Sequence, residues 1–157
     1  VIIFLILLVI SFIILHLTKY GRKIFLIGVN RNTAEYSGIK TARLVMSTYV
    51  LSGIAASIAG ILLTSYLGTA KPDFGADLTL PIITAVVLGG TSIYGGKGNV
   101  IGTGLAALII GFMKFGLTLI GINAQYQDIP VGILLIVSLI INFMINSNVF
   151  QNLKRKK

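Results

Sequence analysis

Long runs of apolar residues without a charge constrain this chain more than any other feature of its sequence. Residues 44–70 and 129–153 contain no charged side chain, and residues 99–120 contain only Lys114. A helix needs about 20 apolar residues to cross the hydrocarbon core of a bilayer. Hydrophobic residues make up 55% of the chain and charged residues 11%, which excludes a water-soluble globular domain and a disordered chain. The sequence therefore predicts an all-α, polytopic transmembrane helix bundle.

The apolar runs predict five spans within a single transmembrane domain, residues 1–157. The third span is short and rich in glycine. Because the chain opens on Val1 inside an apolar run, we expect it to be a fragment, cut within or just before a transmembrane helix. The predicted segments are spans at 1–17, 44–67, 80–96, 99–120 and 129–147, a cytoplasmic loop at 19–43 and a basic cytoplasmic tail at 148–157.

The basic residues predict the orientation of the spans. The loop at 19–43 holds six basic residues and one acid, Glu35, and the chain ends in four basic residues at 154–157. Lys and Arg accumulate on the cytoplasmic side of membrane proteins. Four predicted spans separate the two basic segments, so both lie on that side. A re-entrant loop at 80–96 would put the tail outside, and we therefore predict a full crossing there.

The composition also excludes several classes of function. A net charge of +9 suggests nucleic acid in a soluble protein, but here the basic residues flank apolar runs and no recognition motif accompanies them. The chain has no cysteine, one histidine and four acids. These residues form neither a metal-ligand cluster nor a set of nucleophile, base and orienting group. We expect no catalysis, no metal site and no nucleic-acid partner for this chain.

A short helix is predicted inside the cytoplasmic loop. Asn32 is followed three residues later by Glu35, which is the spacing of a capping box at a helix N-terminus. Gly38 suits the left-handed backbone position that ends a helix. A helix of one to two turns is not stable alone. We therefore expect it to pack against the bundle or against a cytoplasmic partner, and a merely structured loop is the alternative.

Two charged residues lie in the outer half of the last predicted hairpin. Lys114 precedes the turn near Gly121, and Asp128 follows it. A charge at the membrane centre costs about 2.5–3.5 kcal/mol, and such residues usually face a bundle interior or an aqueous path. We predict that the two side chains face each other and are candidate pathway residues. The alternative is that Lys114 extends to the outer interface.

Small residues are frequent in the second half of the chain. Gly98, Gly102 and Ala106 follow one another at four-residue spacing, which permits close approach between helices in lipid. The glycine-rich stretch before them is not a phosphate-binding loop, because Thr91 stands where that motif needs glycine and Gly98 where it needs Ser or Thr. The glycines therefore predict a compact bundle.

Two groups of motifs stand out. The first lies in the loop at 19–43 and consists of Gly21-Arg22, Ile27-Gly28-Val29-Asn30 and Ser37-Gly38-Ile39. The second consists of Leu80-Pro81, residues 85–92, Gly95-Gly96-Lys97-Gly98 and Gly102-Thr103. Together they resemble the cytoplasmic coupling loop and the glycine-rich signature of the permease subunits of bacterial ribose-type ABC importers, which are inner-membrane components of binding-protein-dependent transport systems. The resemblance extends from Lys19 to about Ile141.

The resemblance implies a fold and a set of partners. The implied fold is the C-terminal half, about five spans, of a vitamin-B12-type (type II) importer permease. The implied partners are a second permease subunit, an extracytoplasmic substrate-binding protein and a cytoplasmic ATPase, which holds the ATP and Mg²⁺. No cofactor is expected in this chain itself. Its implied location is the bacterial plasma membrane.

The implied activity is import of a small sugar or sugar-like solute by alternating access. Residues 77–81 and 93–96 look closest to permeases for autoinducer-2 and rhamnose, with ribose and xylose as near alternatives. Permeases for branched-chain amino acids or nucleosides are a further alternative. An ion-coupled secondary transporter or channel, or a passive assembly subunit, would be a different class of function.

The resemblance also assigns roles to residues. The helix near residues 33–37 would be the coupling helix that sits in a groove of the ATPase, and Glu35 stands where the family commonly has a basic residue. The residues predicted to couple to the ATPase are Asn30, Asn32, Thr33, Ala34, Glu35, Ser37, Gly38 and Ile39. The residues predicted for helix packing or gating are Gly89, Gly90, Thr91, Gly95, Gly96, Gly98 and Gly102.

Overall fold

The computed structural model describes residues 2–70 and 72–146, and all regular elements in these two stretches are helical. The predicted all-α class is therefore confirmed. Lys71 and the predicted tail at 148–157 lie outside the described residues. The α-helices are α1 (Ile2–Phe12), α2 (Lys19–Val29), α3 (Arg31–Tyr36), α4 (Thr41–Leu67), α5 (Thr79–Leu88), α6 (Val100–Leu119) and α7 (Asp128–Asn146). A π-helical turn, Ile13–Leu17, continues α1, and 3₁₀-helices cover Pro72–Leu78 and Ala124–Gln127.

A sharp bend of 69° separates α1 with its π-helical turn from α2. Thr18 caps α2, because its Oγ1 accepts a hydrogen bond from the Gly21 N–H at 3.3 Å. Gly21 is buried at the bend, where a Cβ would overlap the Leu15 carbonyl, so only glycine permits this close approach. The sequence analysis treated residue 19 onward as a loop and missed α2. Its basic residues were interpreted as a signal of membrane orientation. The apolar residues between them were therefore not recognised as part of a helix.

Three helical segments are long and apolar enough to cross a membrane, and the bent pair of α1 and α2 is a fourth if it counts as one span. The prediction that the chain has several membrane-spanning helices is therefore confirmed. Five spans were predicted, and three or four candidates are found among the described residues. Each of the three corresponds to a predicted span. They cover Thr41–Leu67, Val100–Leu119 and Gln125–Met144.

The predicted span at 80–96 is helical only in its first half. α5 has 10 residues and ends at Leu88, so it is about 15 Å long, half of the hydrocarbon core. Residues 89–98, which we call the glycine-rich segment, follow it without regular structure. Gly90, Gly95 and Gly96 adopt φ of 88°, 89° and 76°, which residues with a Cβ rarely adopt. A continuous helix is replaced here by a short helix and a folded glycine-rich segment.

The core of the molecule lies where α5 packs against both α6 and α7. Ala85, Ala106, Ile110 and Val131 form one buried cluster, one or more from each of these helices. Thr84 is also fully buried, and its hydroxyl donates to the Leu80 carbonyl at 2.8 Å, so it leaves no unpaired polar group. α4 is different, because only its first residue is buried among the described residues.

Candidate functional site

The short helix α3 is defined at both ends by hydrogen bonds. Asn30 is its N-cap: the Asn30 Oδ1 accepts from the Thr33 N–H at 3.2 Å. The capping box predicted at Asn32 is therefore wrong, because the helix already begins at residue 31 and Asn32 lies in its first turn. At the other end Gly38 has φ 78°, its N–H donates to the Glu35 carbonyl, and the next N–H donates to the Ala34 carbonyl. These two bonds form a Schellman motif, and glycine is required at its left-handed position.

Glu35 connects α3 to the beginning of α4. One carboxylate oxygen accepts from the Thr41 hydroxyl and from Arg31 Nε, at 3.3 Å for the arginine. These hydrogen bonds, first from Thr41 and then from Arg31, favour the ionised carboxylate and lower the pKa of Glu35. The side chain remains half exposed. Glu35 therefore has hydrogen-bond partners within its own chain. It stands where the family commonly has a basic residue, and its contact with an ATPase stays a prediction.

The predicted coupling residues form one continuous surface segment. Ala34 is buried, at 4% exposure, and Ile39 is half-buried, so these two hold the segment against the protein. Tyr36 is 93% exposed at the end of α3. Sequence analysis missed it, although an aromatic side chain within a basic loop was a signal for an exposed contact residue. The other predicted coupling residues are exposed: Asn30, Asn32, Thr33, Glu35, Ser37 and Gly38.

The glycine-rich segment contacts α2 through backbone atoms. A Cβ on Gly28 would lie 2.5 Å from the Gly96 nitrogen, and a Cβ on Gly95 would overlap the Gly28 carbonyl. Real Cβ atoms do not approach other atoms this closely, so the contact requires glycine on both sides. Gly96 itself faces Val29. The predicted packing glycines at 95 and 96 thus lie next to residues 19–43, which were predicted to form the coupling loop.

The same segment is attached to two of the core helices. Gly89 and Gly102 are in contact with each other. A Cβ on Gly102 would overlap the Gly89 carbonyl, and a Cβ on Gly89 would overlap the backbone at Gly102. The Asn142 Nδ2 of α7 donates to the Thr91 carbonyl at 3.2 Å. A Cβ on Gly98 would lie 3.3 Å from the ring of Phe25. Gly90 has open space around it among the described residues, and its requirement for glycine comes from its φ alone.

Lys114 and Asp128 form an ion pair between α6 and α7. The distance from Lys114 Nζ to Asp128 Oδ1 is 2.8 Å, and the side chains are 28% and 42% exposed. Next to them, Gln127 Nε2 donates to the Thr118 hydroxyl and to the Ile122 carbonyl, both at 3.0 Å. These contacts close the hairpin between the two helices. The structure brings the two candidate pathway residues together, and their role in a pathway stays a prediction.

A cleft of ≈ 610 Å³ lies between α1, α2, α6 and the glycine-rich segment. Most of its lining is apolar, including Leu8, Phe25 and Ala107. Sites for polar solutes need several hydrogen-bonding groups at fixed positions. The cleft therefore suits an apolar occupant better than a sugar-like solute. No group of three or more potential metal ligands occurs among residues 2–70 and 72–146.

Residues 1–139 match the family described as branched-chain amino acid transport system / permease component. This match covers most of the chain. The chain belongs to this permease family. The resemblance to importer permeases, stated from the sequence motifs, is thereby confirmed at the level of the family.

Several curated permeases are similar to this family member. All three described here are named autoinducer 2 import system permease protein LsrD. The protein of Photorhabdus temperata is 47% identical over 137 residues, that of Yersinia enterocolitica 44% over 135, and that of Escherichia coli strain K12 / DH10B 46% over 136. The matches cover 87%, 86% and 87% of this chain but 41% of each relative, so the chain spans about two fifths of their length. No solved structure matches the chain.

Proposed function

We propose that this chain is part of the permease of an ATP-driven importer for autoinducer-2 or a closely related sugar-like solute. The observation that carries the proposal is its 47% identity, over 87% of the chain, to a permease named for autoinducer-2 import. The motifs at residues 77–81 and 93–96 support the same class of solute. The complete permease would lie in the bacterial plasma membrane and form half of the translocation path, with a second permease subunit forming the other half.

The coupling step of this proposal uses α3. ATP and Mg²⁺ would bind to a cytoplasmic ATPase, whose two domains close and move the coupling helix. Tyr36, Asn32 and Thr33 are exposed on α3 and would enter the groove of the ATPase. Glu35 would instead hold α3 to α4, since its carboxylate accepts hydrogen bonds from Arg31 and Thr41. Only a difference in ATPase affinity between the inward-open and outward-open states can drive the change.

The proposed topology has five spans and corresponds to the C-terminal half of a vitamin-B12-type permease. The third span would be the predicted segment 80–96, with α5 as its helical half. The connection before it carries Asp73 and Asp77 and would stay at the outer surface. The irregular glycine-rich segment would then lie near the cytoplasmic surface, packed on α2. Non-helical backbone is tolerated at membrane depth where protein covers it.

Single cysteines test this topology directly, because the chain has none of its own. Tyr36 and Tyr94 belong to the coupling loop and the glycine-rich segment, whereas Tyr66 and Tyr126 lie at the far ends of α4 and of the α6–α7 hairpin. All four side chains are at least 60% exposed. Replacement of Tyr66 or Tyr126 by Cys should give labelling by an impermeant maleimide on intact spheroplasts. Replacement of Tyr36 or Tyr94 should give labelling only after lysis, and labelling of Tyr36→Cys on intact cells would contradict the topology.

Transport in proteoliposomes tests the activity. The complete permease, reconstituted with its ATPase and binding protein, should accumulate labelled autoinducer-2 only when ATP is present. Unlabelled ribose, xylose and rhamnose would measure how narrow the selectivity is. Accumulation driven by an ion gradient without ATP would instead establish a secondary transporter.

A branched-chain amino acid is the second candidate solute, because the description of the matching family names that class. The apolar side chain of such a solute would not compete with autoinducer-2 in a path built for a sugar-like molecule. Leucine and isoleucine therefore belong in the competition panel. Strong inhibition by leucine with none by the sugars would overturn the autoinducer-2 assignment while leaving the importer mechanism in place.

A further inference from the structure

The coupling loop reaches the core of the bundle by a continuous series of contacts. α2 and α3 are joined without a flexible link: the Asn30 N–H donates to the Leu26 carbonyl at 3.2 Å, and the Ala34 N–H donates to the Asn30 carbonyl at 3.1 Å. A movement of α3 therefore also moves the last turn of α2. The last turn of α2 is where Gly28 lies against the glycine-rich segment.

The contact at Gly28 joins backbone to backbone. A Cβ on Gly28 would lie 2.5 Å from the Gly96 nitrogen, and a Cβ on Gly95 would overlap the Gly28 carbonyl. No flexible side chain lies between the two elements at this point. Close-packed contacts transmit displacement because they have little room to absorb it. A long side chain at the same place would change rotamer instead.

The far side of the glycine-rich segment is held by one backbone contact and one side-chain hydrogen bond. Gly89 contacts the backbone at Gly102 near the start of α6, and the Asn142 side chain of α7 binds the Thr91 carbonyl at 3.2 Å. The segment thus contacts α2 on one side and the helices of the core on the other. α4 offers a separate route from α3, through Glu35 and Thr41, but none of its residues beyond Thr41 is buried among the described residues.

We propose that Gly28, with Gly95 and Gly96 opposite it, is the positioning contact that transmits movement of the coupling helix through the glycine-rich segment to α6 and α7. This inference rests on the proposed function, since it needs an ATPase that moves α3. The three glycines contact neither solute nor nucleotide in this scheme. They act by keeping two backbones in register, so their loss separates ATP hydrolysis from transport.

The first test is Gly28→Ala in the complete permease, assembled with its ATPase in proteoliposomes. The added methyl group must displace the glycine-rich segment. Coupling energies between sites commonly correspond to a change of fivefold or more, so we expect the ATP consumed per solute imported to rise by about fivefold or more. The matched control is Gly111→Ala, in α6, where a Cβ meets no atom of the described residues within 4 Å. It should keep the wild-type ratio.

A second pair of variants separates the contact from backbone strain. Gly95 and Gly90 have nearly the same φ, 89° and 88°, but only Gly95 lies against Gly28. Gly95→Ala and Gly90→Ala therefore both place a Cβ at the same unfavourable φ. Gly95→Ala should raise the ratio of ATP to solute well above that of Gly90→Ala. Equal ratios in the two variants would overturn the proposal.

We call the series of contacts from α3 through Gly28 and the glycine-rich segment to α6 and α7 the relay. Asn142→Leu tests the contact between the glycine-rich segment and α7. Leucine has the same number and branching of side-chain heavy atoms as asparagine and favours a helix, so the variant should assemble even if the glycine variants do not. It removes the hydrogen bond to the Thr91 carbonyl. We expect an increased ratio of ATP to solute at equal amounts of assembled complex, and an unchanged ratio would refute the relay.

The failure of the relay is distinguishable from failure of the proposed function. If the wild-type complex shows no ATP-dependent uptake, the importer assignment is wrong. If the wild type transports and Gly28→Ala transports with the same ratio, only the relay is wrong. A merely structural role of Gly28 would lower the amount of assembled complex and leave its ratio unchanged.

Discussion

Removal of the ion pair between Lys114 and Asp128 tests the hairpin of α6 and α7. The perturbation is a double-mutant cycle of Lys114→Met, Asp128→Asn and both together. At 2.8 Å, the Coulomb attraction between unit charges is about 1.5 kcal/mol in water and about 6 kcal/mol at an effective dielectric constant of 20. The side chains are 28% and 42% exposed, and lysine loses rotamer freedom in the pair. We therefore expect a net coupling energy of about 1–2 kcal/mol.

Each single variant should lower the free energy of unfolding by more than half as much as the double variant does, because each single variant leaves one charge without its partner. Asp128 also begins α7, where a negative charge interacts favourably with the helix dipole by about 0.3–1 kcal/mol. This contribution is lost in both Asp128→Asn and the double variant, so the cycle cancels it. The remaining difference measures the ion pair alone.

The assay is unfolding of the purified permease in mixed micelles, followed by the loss of helical circular dichroism. If the cost of the double variant equals the sum of the two single costs, the pair contributes no coupling energy and the reasoning is refuted. Uptake by the same variants tests the pathway role predicted for Lys114 and Asp128. An unchanged KM for the solute in the double variant would restrict the pair to closing the hairpin.

Three further predictions concern the coupling loop and the glycine-rich segment. The pKa of Glu35 is lowered, so its contribution to stability is present above the ordinary pKa of glutamate and disappears as the pH falls through the lowered value. Unfolding midpoints of wild type and Glu35→Gln should therefore converge on acidification, and a constant difference would contradict this. Gly38→Ala should lower the free energy of unfolding by about 1–2 kcal/mol in the same assay, because Gly38 has a φ of 78°. Its control is Gly53→Ala within helix α4, where a Cβ would meet no described residue; this variant should raise the free energy of unfolding by about 0.5–1 kcal/mol. Gly98→Leu should reduce assembly by displacing Phe25, and normal uptake with this variant would contradict close packing there.

The sequence allowed the helical class and the long spans to be predicted because both depend on local composition. Residues 44–67 carry no charge and form most of α4, which the structure shows as Thr41–Leu67. Gly38 was predicted to end a short helix, and its left-handed φ confirms this. Such features are determined within a few neighbouring residues, by transfer of apolar side chains from water and by the steric freedom of glycine.

The N-cap of α3 was predicted at the wrong residue, because Asn30 and Asn32 both have a suitable side chain. Which of them caps the helix depends on where α2 ends. Asn30 is the cap, because its side chain accepts the hydrogen bond from the Thr33 N–H. α2 itself escaped detection because its basic residues were interpreted as a signal of orientation. Its bend against α1 depends on the overlap that only Gly21 avoids, which a sequence pattern does not reveal.

The tertiary structure alone decided which residues that are far apart in the sequence contact each other. Glycines at 28, 89, 95 and 102 look alike in the sequence, yet Gly28 pairs with Gly95 and Gly89 with Gly102. A Cβ on Gly90, by contrast, would meet no atom of the described part of the chain. Distances between backbones that are far apart along the chain follow from how the helices pack. The sequence by itself therefore determined that this chain is a helical membrane protein with a short helix that ends at Gly38, and the packing decided which glycines join that helix to the core.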